Sequence, residues 1–174
     1  MIILGINAFH ADAAACVLRD GQLVAAAEEE RFTRLKHWAG CPTQAIDYCL
    51  KEAGVELTDV DHLVLNRDPQ AHLVDKALFT FLRQPNWSAV RDRLRNAGKV
   101  RDIKTALAEA KGIKPDDIPA KVHHIEHHQA HLGSAFFVSG LEEAAVASID
   151  GFGDFVSTMV AHGQGTHLNV LQSI

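Results

Sequence analysis

Histidine is the residue type whose placement asks for a chemical explanation. Of 11 histidines in 174 residues, five fall between His123 and His131. In His123-His124-Ile125-Glu126-His127-His128-Gln129-Ala130-His131, three pairs stand four residues apart: 123/127, 124/128 and 127/131. On a helix such positions share a face, so both imidazoles of a pair can reach one cation. A third ligand is then needed, and Asp150 suits it, lying at the end of the apolar run from Ala144 to Ile149 and just before Gly151. Spacing alone does not choose among the three pairs. Two imidazoles and a carboxylate with vacant positions describe a non-haem iron centre and equally hold zinc or manganese. Calcium or magnesium alone, which prefer all-oxygen shells, fit such a set poorly.

Three other stretches carry chemical groups. Asn7-Ala8-Phe9-His10-Ala11-Asp12-Ala13-Ala14 joins two apolar runs, and its small residues let backbone amides approach an anion. His10 and Asp12 within it suit a general base and its orienting carboxylate, as they suit an ordinary turn histidine and capping aspartate. In Asp150-Gly151-Phe152-Gly153-Asp154, the glycines permit a nucleotide to come close to the backbone, or form a plain hairpin turn. The run Glu28-Glu29-Glu30-Arg31-Phe32-Thr33-Arg34-Leu35-Lys36-His37 is either a solvated edge or a site for a charged substrate.

The elements that must hold these groups follow from apolar periodicity. Ile2–Ile6, Ala13–Leu18 and Leu23–Ala27 read as a three-strand meander, with Asp20-Gly21 at the centre of the second turn as a strong hairpin signal. Ala45, Ile46, Cys49, Leu50 and Ala53 recur at helical spacing, predicting a helix from Pro42 that Gly54 ends. Val60–Leu65 reads as a strand. From Ala71 to Gly112 the pattern predicts three more polar helices, around Leu73–Phe81, Trp87–Asn96 and Val100–Lys111. The basic residues Arg91, Arg93, Arg95, Lys99, Arg101 and Lys104 there fit a solvated helical face better than a phosphate site. A loop at 115–119, a strand at Lys121–Ile125 and a helix at His127–Val138 follow. Ala144–Ile149 reads as a buried strand, and Val156–Ala161 and His167–Leu171 as two more. The last element stops without a closing helix, which reads as the front part of a longer protein.

Composition bounds the function. With 47% hydrophobic and 22% charged residues, the chain is expected to bury one ordinary core. A formal charge of -5 argues against a general nucleic-acid partner. No apolar run reaches the roughly 18 residues of a spanning helix, and the amino terminus lacks signal-peptide features, so no membrane partner is expected. Three cysteines without a CxxC pair suit the cytoplasm.

Taken in order, the motifs resemble one family. Ile3-Leu4-Gly5-Ile6 with His10 and Asp12, Arg19-Asp20-Gly21, and Ala27-Glu28-Glu29-Glu30-Arg31-Phe32-Thr33-Arg34 with Lys36-His37 resemble the opening of the NodU/CmcH-type carbamoyltransferases. His127-His128-Gln129-Ala130-His131 with Ser134-Ala135-Phe136-Phe137 and Ser139-Gly140 is similar to the family's histidine motif, and Ile149–Asp154 to its nucleotide-proximal loop. The resemblance runs from residue 3 to about 160. It implies an α/β fold: the amino-terminal part of an actin-like ATPase (ribonuclease H-like) lobe, with a mixed sheet, flanking helices and a helical insertion at 71–119. The rest of that domain and a YrdC-like domain would lie beyond residue 174.

The implied activity is transfer of a carbamoyl group from carbamoyl phosphate to a hydroxyl of a natural product or saccharide. ATP is used to form a carbamoyl-adenylate. The resemblance picks His127, His131 and Asp150 as ligands of a divalent metal, usually iron. It sets Asp150, Gly151 and Gly153 beside the nucleotide, and His10 with Asp12 at the catalytic position. The 174 residues alone are not expected to turn over. A tRNA-modifying threonylcarbamoyl-transfer relative and a non-catalytic metal- or nucleotide-binding lobe are the alternatives, the first disfavoured by the acidic charge.

Overall fold

The computed structural model describes residues 1–71, 102–153 and 156–174. These pack as two compact units with separate cores, where the composition suggests one. Among the described residues the first unit comprises Met1–Asn66 and 102–124, and the second comprises 67–71 and Ile125–Ile174.

In the first unit, β1 (Ile2–Asn7), β2 (Ala14–Arg19) and β3 (Gln22–Glu28) form the expected antiparallel meander. Asp20 and Gly21 sit at φ of +50° and +81°, the left-handed pair that a two-residue hairpin needs for its twist to match the strands. A short helix α1 (Glu30–Thr33) and helix α2 (Thr43–Ala53) follow. Helix α2 buries Ala45, Ile46, Cys49, Leu50 and Ala53, the apolar stripe its spacing predicts, and ends on left-handed Gly54. Strand β4 (His62–Leu65), helix α3 (Ile103–Lys111) and strand β5 (Lys121–His124) complete the unit. The sheet order is β3-β2-β1-β4-β5, with β4 and β5 joining parallel. Leu4, Ile6, Ala15, Val17, Leu63 and Leu65 alternate onto one face and share a cluster with the buried residues of α2 and α3. This is the mixed α/β architecture with flanking helices that the sequence implies. Two of the helices expected in the 71–119 insertion fall within 72–101, outside the described residues, as does Asp154; the third is α3.

The second unit sets helix α4 (His127–Phe136) against an antiparallel sheet of β6 (Glu143–Gly153), β7 (Val156–Gln164) and β8 (His167–Ser173), in that order. Leu132, Phe136, Val146, Val156, Met159 and Ala161 form its core. Strand β6, expected to be a buried strand, is buried on one face only. Val146 and Ser148 are buried, whereas Ala145, Ala147 and Ile149 are exposed, Ile149 by 82%. One face meets α4 and the other does not, so burial follows the two-residue period. Residues Asp150–Gly153 are also part of β6 and not the turn their glycines suggest. The pairs Ile149↔Thr158 and Gly153↔Val156 leave three residues of β6 opposite Ser157 alone, an irregularity that bends the strand. At Gly163 a Cβ would come within 2.7 Å of the Phe136 ring, so a bare glycine lets α4 settle on β7.

Candidate metal centre

The histidine-rich segment divides at a change of secondary structure. His123 and His124 end β5, and His127 begins α4, so the helical argument for pairs 123/127 and 124/128 does not hold. His123 contacts His62 of the neighbouring strand, Nε2 to Nδ1 at 2.9 Å. Only His127 and His131 stand one turn apart on one helix. Glu126 starts that helix by accepting the Gln129 N–H at 2.8 Å, satisfying a donor of the first turn.

His128 is turned inward and fully buried. Its Nε2 lies 2.8 Å from the Val156 carbonyl oxygen, and its Nδ1 2.8 Å from Ser148 Oγ. The carbonyl can only accept, which puts a proton on Nε2 and leaves Nδ1 to accept from the Ser148 hydroxyl.

The outward histidines meet Asp150. His127 Nε2 lies 2.8 Å from Asp150 Oδ2, His131 Nε2 3.5 Å from the same oxygen, and the two Nε2 atoms are 3.1 Å apart. Asp150 reaches them by strand parity. Val146, Ser148 and Asp150 alternate onto the face that meets α4. The Gly151 N–H also donates to Asp150 Oδ1 at 2.6 Å. The His127 hydrogen bond, followed by that N–H, holds the Asp150 carboxyl down at about 2, so it is ionised at neutral pH.

Two observations bear on whether this set fits a metal. A ring nitrogen carries either one proton or one lone pair towards its neighbours, so His127 Nε2 cannot both donate to Asp150 and accept from His131. A cation replaces both demands with lone pairs. The separations fit as well: ligand atoms about 2.1 Å from an ion stand ~3.0 Å apart at a right angle and ~3.4 Å at the tetrahedral angle. The observed 3.1 Å falls between these values, and 2.8 and 3.5 Å lie just outside them on either side. His131 and Asp150 are exposed and His127 half-buried, which leaves further coordination positions open to solvent.

The first unit spends its motif differently. Glu29, inside the acidic run, is 1% exposed. It accepts from the Ala45 N–H at 2.8 Å and the Gln44 N–H at 3.3 Å. Helix α2 has Pro42 at its cap without a side-chain acceptor and no acid in its first turn, so Glu29 supplies the missing charge. Glu28 and Arg31 pair at the surface at 3.1 Å. Beside them a cavity of ≈ 560 Å³ is lined by Cys16, Ala26, Glu28, Arg31, Phe32 and Tyr48.

Asp12 does not mark out His10 as its partner. The hydrogen bond to its carboxylate comes from His37 Nδ1 at 2.9 Å. Sequence reasoning gives His37 no role of its own, because the two residues are 25 apart and no local pattern links them. Asp12 and His37 both take left-handed backbone, at φ of +62° and +53°. The loops that carry them are joined by Phe9 N–H to Gly40 O and Ala13 N–H to Trp38 O.

Among the described residues, no helix is long and apolar enough to cross a membrane. An uncharacterised protein of Synechocystis sp., sll1178, is 42% identical over 178 residues, covering 95% of this chain and 28% of that protein. The nodulation protein NolNO of Sinorhizobium fredii is 36% identical over 165 residues, covering 95% of this chain and 23% of its own length. The chain thus spans about a quarter of these relatives. Among solved structures, YeaZ from Pseudomonas aeruginosa aligns over 99% of this chain and 65% of its own, at 17% identity and a TM-score of 0.48. The family described as carbamoyltransferase N-terminus matches residues 2–174, and the chain belongs to that family.

Proposed function

We propose that this chain is the metal-bearing front part of an ATP-dependent O-carbamoyltransferase with an actin-like lobe. In this reading a carbamoyl group passes from carbamoyl phosphate, through carbamoyl-adenylate, to the hydroxyl of a small natural product or saccharide. The observation that carries the reading is the convergence of His127, His131 and Asp150 within a chain of the carbamoyltransferase family. Those three residues hold a divalent cation, with iron the first choice. When bound, the ion supplies Lewis-acid stabilisation of negative charge at the reacting group.

The remaining work belongs to the chain. In the transfer step the acceptor O–H bond breaks, a bond forms from its oxygen to the carbamoyl carbon, and the bond from that carbon to AMP breaks. A base must take the proton. His10, in the β1–β2 turn, is the first candidate, and His37 is a second, its ring oriented by Asp12. The backbone around Gly151 and Gly153 offers room for the nucleotide.

For the polypeptide as encoded, carbamoyl phosphate should make ATP cleavage yield pyrophosphate, with phosphate released from the donor. AMP should appear when a hydroxyl acceptor is added. Pyrophosphate release that ignores carbamoyl phosphate would overturn the reading. His10→Ala and His37→Ala should lower the acceptor-dependent step while metal content stays unchanged.

A further inference from the structure

The proposed metal ligands come from two elements, α4 and β6, so the site exists only if those elements hold one register. What sets it is visible one residue along on α4 and two residues back on β6. His128 follows His127 on α4, and Ser148 precedes Asp150 by two on β6, on the same face of the strand. The buried hydrogen bond from Ser148 Oγ to His128 Nδ1, at 2.8 Å, is therefore a rung parallel to the His127–Asp150 contact at 2.8 Å. The other ring nitrogen of His128 is fixed by Val156 O, on β7. One imidazole thus ties the helix to two strands.

Apolar packing alone does not do this. Leu132 and Phe136 contact the sheet through side chains with no directional demand, and an apolar interface tolerates small shifts. A fully buried imidazole with both nitrogens engaged does not, because any slip leaves polar atoms unpaired without water.

We propose that His128 and Ser148 are positioning residues for the metal centre: their buried hydrogen bond sets the helix-to-strand register that brings His127 and His131 within reach of Asp150. This rests on the proposed metal-binding reading, and its test separates the two. The 174-residue chain is titrated with Zn(II), and separately with Fe(II) under reducing conditions, against a chromophoric chelator. Thermal melting of the metal-free chain is followed in parallel.

Ser148→Ala removes the donor and should weaken metal binding by about tenfold or more, the range typical of groups that orient ligands. Ser148→Thr keeps the hydroxyl on a β-branched residue suited to a strand and should restore affinity to within about twofold. His128→Gln keeps a donor for Val156 O, but its acceptor oxygen no longer sits at the Nδ1 position that faces Ser148, so it should bind like Ser148→Ala. If Ser148→Ala and His128→Gln melt earlier yet bind metal as the unaltered chain does, the pair is merely structural and the proposal falls. Affinity lost equally in Ser148→Ala and Ser148→Thr also overturns it, since the hydroxyl would then not be the cause. If His127→Ala and His131→Ala leave binding unchanged, it is the metal reading itself that fails, whatever Ser148 does.

Discussion

Two acidic side chains, one in each unit, show how differently the halves of this molecule use similar chemistry. Glu29 is sealed in the first unit with its carboxylate committed to the start of α2. Asp150 stands exposed on the second, with two imidazoles converging on one of its oxygens. The first accepts from two backbone N–H groups and the Gln44 side-chain amide and, at 1% exposure, has no face open to a ligand. The second sits among groups whose mutual contacts cannot all be hydrogen bonds. A carboxylate in a motif is therefore not evidence of a site until its partners are known. Asp12 lies between these extremes, since it is exposed but has a single histidine partner, and one imidazole with one carboxylate does not make an ion site.

The contrast is broken most directly at Asp150. Asp150→Asn or His131→Ala should weaken divalent-metal binding by about a hundredfold or more, because each removes one of the three proposed protein ligands. Asp12→Asn and His37→Ala should leave that affinity within about twofold. Equal losses from both sets, measured by chelator competition, would mean the two regions are not chemically distinct. Acidification to about pH 4 should leave the Asp150 carboxylate ionised, since its pKa is held at about 2. Its contribution to folding is present above the unfolded carboxylate pKa near 3.8 and is lost only as pH falls through about 2.

At Glu29 the expected effect is on stability alone. Glu29→Ala leaves the first N–H groups of α2 buried without an acceptor and should cost about 2–3 kcal/mol. Metal affinity should not change. Urea denaturation of the two proteins reads the difference, and a change below ~0.5 kcal/mol would mean solvent already reaches those donors.

The same comparison separates what is legible in the sequence from what is not. Local signals were sufficient where the cause is local. Asp20-Gly21 turns the hairpin, the stripe from Ala45 to Ala53 gives α2, and Gly54 ends it. Long-range causes left no such mark. Nothing near Glu29 shows that it caps a helix beginning 14 residues later, and nothing near Asp12 points to His37. Within the histidine run, helical spacing taken alone offered three equivalent pairs, although periodicity already placed a strand up to Ile125 and a helix from His127. The structure resolves them by ending β5 at His124 and beginning α4 at His127. His128, identical in type to its neighbours, is distinguished only by facing a sheet that the sequence does not display. The resemblance did name His127 and His131, but the reason they meet Asp150 lies in strand parity and the irregular end of β6.

The smallest effect expected concerns the cysteines, all three of which lie in the first unit. If the thiols, like Glu29, are committed to packing, they should be inert. Burial pushes Cys49 up to about 11, and burial aided by the negative charge of Glu29 does the same for Cys41. Burial raises Cys16 as well. At neutral pH the native chain should therefore resist iodoacetamide, reacting only as it unfolds, because the thiolate is the nucleophile. Stability should hold up to about pH 8, where thiols are still mostly protonated in both states. From there towards pH 11 the unfolded chain releases protons that the folded one retains, so the melting temperature should fall across that window. Rapid alkylation of a cysteine in the folded chain at neutral pH would show that burial does not keep these thiols protonated, and the contrast between the packed groups around Glu29 and the exposed ones around Asp150 would not stand.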